Sequence, residues 1–173
     1  ELTPPLKPDQ LGRLLDAIEA SGDQSIWMSV ALVGCFGVRP SELAVLDVRD
    51  GELLVGGGVK RNPRTKRRSQ PLKPRLAIAL EIPGRNDGQR AIEMLTSGVP
   101  FPRQLATQVE KAHAGEDVLK AVGNKLAKYV NQIPCWQELI SETPGLTPYS
   151  LRHGYAWRAH KVYERPLAIR DAA

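Results

Sequence analysis

Leu11, Leu14, Leu15 and Ile18 recur at the spacing of one helix face, which predicts a helix that opens near Pro8 and closes at Ser21-Gly22. The stretch before it, Thr3-Pro4-Pro5-Leu6-Lys7-Pro8, reads as extended. Ser25 to Phe36 is nearly all apolar, so a second helix is expected there, buried on several faces. Gly37 and Pro40 punctuate its end, and Pro40 suits the first position of a short helix running through Leu46. The pattern then changes. Glu52 to Val59 reads as a strand broken by glycines, Lys60 to Ser69 as a long hairpin turn, and Arg68 to Leu72 as the returning strand. Leu76, Ile78, Leu80 and Ile82 alternate, although the alanines between them leave strand and helix both open. From Gly88 onward the pattern is mainly helical, with breaks at Gly98-Val99-Pro100, at Pro134 and at Thr143-Pro144-Gly145. Pro148 opens a further helix carrying Leu151, Tyr155 and Val162, and Pro166 begins a last one. The expected architecture is mainly α with a small antiparallel β-sheet (α+β), in one domain over 1–173.

Composition narrows the class. A chain of 173 residues with 42% hydrophobic content is long enough for one globular core. Net charge is +5 and the sequence pI about 9.4. The charge is concentrated: Lys60 to Arg75 holds eight Lys or Arg and no acidic residue. Such a run attracts nucleic acid phosphates, and it equally fits a solvated loop. Cys35 and Cys135 are far apart and flanked by apolar residues, so both are expected to be buried free thiols in a reducing cytoplasm. No stretch has signal-peptide character or membrane-spanning length. His113, His153 and His160 have no metal-ligand spacing, and Gly56-Gly57-Gly58 lacks the Gly-Lys-Ser/Thr of a nucleotide loop. No metal and no cofactor is therefore expected.

Two arginines organise the remaining signal. Arg39 stands in Gly37-Val38-Arg39-Pro40-Ser41-Glu42-Leu43 and Arg152 in Thr147-Pro148-Tyr149-Ser150-Leu151-Arg152-His153. Each follows an apolar segment or turn and opens onto a helical pattern. Two fixed guanidiniums that converge can fork around one phosphate through paired charge-assisted hydrogen bonds. The two stretches, with a basic hairpin between them, resemble the arginine boxes of the tyrosine recombinases (phage integrases and their relatives). Arg39, Glu42 and Leu43 fit the first box, and Leu151, Arg152 and His153 the second.

The resemblance implies a catalytic domain that cuts and rejoins DNA through a 3′-phosphotyrosine intermediate, in site-specific recombination or integration, without metal or ATP. It implies that Arg39 and Arg152 stabilise the charge developing on the phosphate, the role of preorganised electrostatics. A hairpin lysine would protonate the leaving 5′ oxygen. Lys60, at the end of the first strand, is preferred, with Lys66 as the rival. Arg61, Arg64, Lys66, Arg67 and Arg68 would contact phosphates. Glu42 and His153 take supporting roles, and a structural hydrogen bond is expected of His153. Tyr149 stands where the family usually has histidine. A phenol titrates near pH 10, so it is a poor proton shuttle but can still donate a hydrogen bond. Tyr155 is expected to pack on the helix face rather than to attack. No nucleophilic tyrosine is assigned in this chain. The expectation is a catalytic domain shortened at its C-terminal end, lacking the preceding DNA-clamping domain and unable to form a covalent adduct alone. The implied partners are double-stranded DNA and other recombinase subunits in a synaptic complex, with no membrane, in a cytoplasmic, nucleoid-associated setting. Tyr149 and the missing nucleophile motivate an alternative, a non-cleaving DNA-binding relative such as a prophage remnant. A basic RNA-binding or scaffold protein is a third reading.

Overall fold

The computed structural model describes residues 2–56 and 74–172, with side chains described through residue 162. Helix α1 (Pro8–Ser21) buries Leu11, Leu14, Leu15 and Ile18 on one face, as their spacing predicts. Helix α2 (Gln24–Phe36) is capped by the Asp23 carboxylate, which accepts from the Ile26 N–H, and every residue from Trp27 to Phe36 is buried. A 3₁₀ turn follows at Pro40–Val45, with proline at its first position.

The sheet has three antiparallel strands in the order β1 (Leu46–Arg49), β2 (Glu52–Val55) and β3 (Arg75–Ala77). The short helix expected through Leu46 thus ends at Val45, and Leu46 opens a strand the pattern did not reveal. Its signal was Asp50-Gly51, whose backbone takes φ of 53° and 76°. Two successive positive φ values make the tight hairpin turn that suits the twist of the strands. In the ladder Leu46 pairs with Val55 and Arg49 with Glu52, and across the second pair Val55 meets Arg75 and Leu53 meets Ala77. The alternation from Leu76 to Ile82 resolves into a strand as far as Ala77 and an irregular segment after it. The expected hairpin turn and the returning strand Arg68–Leu72 lie outside the described residues, as does the end of the strand expected to Val59.

Helices α3 (Asp87–Thr96), α4 (Arg103–His113), α5 (Leu119–Asn131) and α6 (Pro134–Glu142) follow. The break between α4 and α5 follows Gly115 at φ 90°, a position the sequence reading passed over. Helix α7 (Tyr149–Ala172) is one helix and does not restart at Pro166. A proline forfeits one intrahelical hydrogen bond and bends a helix without obliging it to stop.

The core gathers around α2, which packs against α1, α3 and α7. The extended N-terminal segment lies along the start of α7, where Leu6 N–H donates to the Ser150 carbonyl at 2.9 Å. There Gly154 allows backbone contact, because a Cβ at that position would lie 2.2 Å from the Leu6 carbonyl oxygen. Cys35 is buried and free, and burial pushes its thiol pKa up to about 12. Cys135 is also free but only half-buried, because α6 presents it beside the surface rather than to the interior. Among the described residues no helix is long and apolar enough to cross a membrane.

Candidate functional site: a cluster of three arginines

The end of α2 fixes Arg39. Gly37 takes the left-handed conformation (φ 67°) and its N–H closes the helix on the Val33 carbonyl. Val38 turns inward, and Arg39 is held extended (φ −68°, ψ 145°), the conformation required of a residue before proline. Glu42 then reaches back. Its Oε1 accepts the Arg39 N–H at 2.7 Å, while its own N–H donates to the Arg39 carbonyl at 2.8 Å. The Arg39 backbone is thereby clamped on both sides, and its guanidinium Nη1 stands 4.0 Å from Glu42 Oε2.

Glu42 is 1% exposed, which for a carboxylate demands partners. Besides the Arg39 amide it receives both ends of the Arg75 guanidinium: Nη2 donates to Oε1 at 2.9 Å and Nη1 to Oε2. Burial works to raise the Glu42 pKa. The Arg75 hydrogen bonds, the Arg39 amide and the charges of Arg75 and Arg39 overcome it and hold the carboxyl below its ordinary value. Arg75 is in turn raised, chiefly by its hydrogen bonds to Glu42. Arg75 is a site residue that no motif marks, since in the sequence it is only the tail of the basic run. Its signal lay in the alternation beginning at Leu76: a strand there pairs with β2 and turns Arg75 toward the 3₁₀ turn.

Arg152 arrives from the first turn of α7 and is half-buried. Its pKa is lowered, first by burial and then by the positive charge of Arg39. Glu42 and Tyr149 oppose that shift, and Arg75 adds to it. Arg152 therefore feels the fields of both other arginines. Arg75 and Arg39 stand at the buried carboxylate, which Arg75 and the Arg39 amide already engage, and Arg152 lies within the reach of its charge. Among the described residues nothing accepts a hydrogen bond from the Arg152 guanidinium. The arrangement leaves Arg39 and Arg152, among the described residues, available for an anion, with Arg75 and Glu42 bracing the Arg39 backbone.

Beside Arg39 opens a pocket of about 430 Å³, bordered by Ser41, Lys120, Asn124, Thr147 and Tyr149, with no acidic residue among its described lining. Tyr149 is 43% exposed, and its ring lies 6.2 Å from that of His153 at a 45° tilt. His153 is exposed on a different face from Arg152, and among the described residues it makes no structural hydrogen bond of the kind expected of it. It stands clear of the core, and its ring faces that of Tyr149. Tyr155 packs, as expected of a helix-face residue: its ring lies on Gly37 and its hydroxyl donates to the Ile78 carbonyl at 2.7 Å. Lys60, Arg61, Arg64, Lys66, Arg67 and Arg68 lie outside the described residues, so the choice between Lys60 and Lys66 stays as the sequence left it. Compared with known proteins, the chain matches no family model, no curated protein and no solved structure.

Proposed function

We propose that this chain is the catalytic domain of a tyrosine recombinase-like protein that binds duplex DNA and exchanges its strands through a phosphotyrosine intermediate, formed on a tyrosine that is not assigned in this chain. The observation that carries the reading is that Arg39 and Arg152, more than a hundred positions apart in sequence, lie near enough for Arg152 to feel the charge of Arg39 and of Glu42, with Arg39 itself 4.0 Å from that carboxylate. A phosphodiester seated between the two guanidiniums receives bidentate hydrogen bonds from each, and these strengthen as charge develops on its non-bridging oxygens. Arg75 holds Glu42, and Glu42 holds the Arg39 backbone, so the donors need little rearrangement when the phosphate enters. The order of elements (helices, small sheet, basic run, helices, second arginine) agrees with the integrase-like arrangement that the arginine boxes imply. A lysine of the basic run, Lys60 before Lys66, serves the leaving oxygen in this scheme.

The test is covalent adduct formation on nicked duplex DNA by the protein as its full coding frame specifies it. Adducts in the parent protein that fall by about a hundredfold or more in Arg39→Ala and Arg152→Ala, with duplex binding retained, support the reading. A second reading, a DNA-binding relative that does not cut, is favoured by Tyr149, an exposed phenol where proton transfer calls for an imidazole. Binding without any adduct in the parent protein selects it. Preference for structured RNA over duplex DNA overturns both.

A further inference from the structure

Helix α7 contributes more than Arg152 to the cluster. Three residues on, Tyr155 lays its ring so closely on Gly37 that an added Cβ there would sit 2.2 Å from Cδ1. The same side chain donates to the Ile78 carbonyl. One turn further, Arg158 is 6% exposed, and its Nη2 donates to the Gly34 carbonyl at 2.6 Å and the Leu80 carbonyl at 3.2 Å. The Leu80 N–H donates in turn to the Cys35 carbonyl at 2.8 Å. Gly34 and Cys35 belong to the last turn of α2, whose carbonyls have no partner inside the helix. Arg158 and Leu80 satisfy them, and a cation at that end also complements the helix dipole.

The positions of these contacts in the sequence matter. Gly37 lies just before Arg39, Ile78 just after Arg75, and Tyr155 one helical turn after Arg152. From the helix that bears one arginine, a single side chain touches the segments that bear the other two. Mutual repulsion among three guanidiniums works to spread these segments, and Glu42 supplies negative charge against it. We infer that Tyr155 is a positioning residue for the cluster, setting the separation of Arg39 from Arg152, with Arg158 as a second tether on the same helix face. Its structural part stands on geometry, and its functional consequence rests on the phosphate-binding reading above.

The experiment compares Tyr155→Phe, which keeps the ring and removes the hydroxyl, with Val109→Ala, a core substitution on α4 outside the cluster. Two quantities are read on the whole chain. One is the nuclear magnetic resonance signal of the Nε–Hε groups of Arg39 and Arg152, assigned with Arg39→Lys and Arg152→Lys. The other is affinity for a short DNA duplex, by fluorescence anisotropy at fixed salt. Tyr155→Phe is expected to move both guanidinium signals and to weaken duplex binding by about tenfold, the effect of one lost hydrogen bond passed on to the site. Val109→Ala is expected to lower the melting temperature at least as far and to leave signals and affinity unchanged. Unmoved signals in Tyr155→Phe, or equal movement in Val109→Ala, overturn the positioning role. Moved signals with unaltered duplex affinity uphold that role and overturn the phosphate-binding reading. Duplex affinity unchanged in Arg152→Ala overturns that reading as well.

Discussion

Glu42 does two things that usually conflict: it is almost fully buried, and it stays ionised. Arg75 and the Arg39 amide make that possible, and they also make the fold sensitive to acid. The carboxyl has a lower pKa folded than unfolded, the unfolded value being that of an ordinary glutamate, about 4.3. The stability it contributes is therefore present above that unfolded value and is lost as pH falls through the lower folded one. Glu42→Gln should cost about 1–3 kcal/mol at neutral pH, because it leaves charged donors half-satisfied. It should also flatten the acid limb of the stability curve. Urea unfolding of both proteins between neutral and acidic pH measures this, and parallel acid limbs would assign the titration to another group. At this scale the sequence was informative about identity and silent about partnership. Arg39, Glu42 and Arg152 could be named from their motifs. Arg75 could not, because its role depends on a strand pairing that brings it across from Val55 to a carboxylate thirty-three positions earlier in the chain.

Among the elements, the first helices were legible because each carries its own period and its own punctuation, whereas the α4–α5 break at Gly115 and the continuity of α7 through Pro166 were not. Helix α1 has its leucine stripe and α2 its apolar run closed by Gly37, and prolines mark the starts of the 3₁₀ turn and α6. The sheet was harder. Strand β1 has four residues and β3 has three, too short to establish a period of two. The turn residues Asp50-Gly51 held the information that the strands themselves lacked. Where elements meet, the junction at Gly37 is the most constrained point, since positive φ and the Tyr155 ring both exclude a side chain. Gly37→Ala should destabilise the protein by about 3 kcal/mol, combining the left-handed backbone cost with overpacking. Adding Tyr155→Ala should recover part of that loss, so the two substitutions will be non-additive. Thermal unfolding of the two single variants and the double variant tests this, and simple additivity would separate the glycine from the ring.

For the whole molecule, the decisive quantity is the distribution of charge rather than its sum. A net charge of +5 is modest, yet two features concentrate it: the run from Lys60 to Arg75 and the three-arginine cluster. On the proposed reading, duplex affinity should fall steeply with salt, by about 0.9 logarithmic units per tenfold change in salt for each phosphate neutralised. Replacing Arg61, Arg64, Arg67 and Arg68 together by alanine should make that slope shallower, whereas Arg152→Ala alone should change it by about one contact. Titrations at several chloride concentrations check this, and a slope unaltered by the fourfold change would remove the basic run from the interface. The cluster has a further consequence. Among the described residues three cations share the field of one carboxylate, so on the proposed reading an anion that enters becomes part of what holds the fold together. Occupancy and folding then rise together by mass action. On the proposed reading, core variants too weak to survive heating alone should be rescued by duplex DNA, which makes that partner a late addition to the protein's own interior.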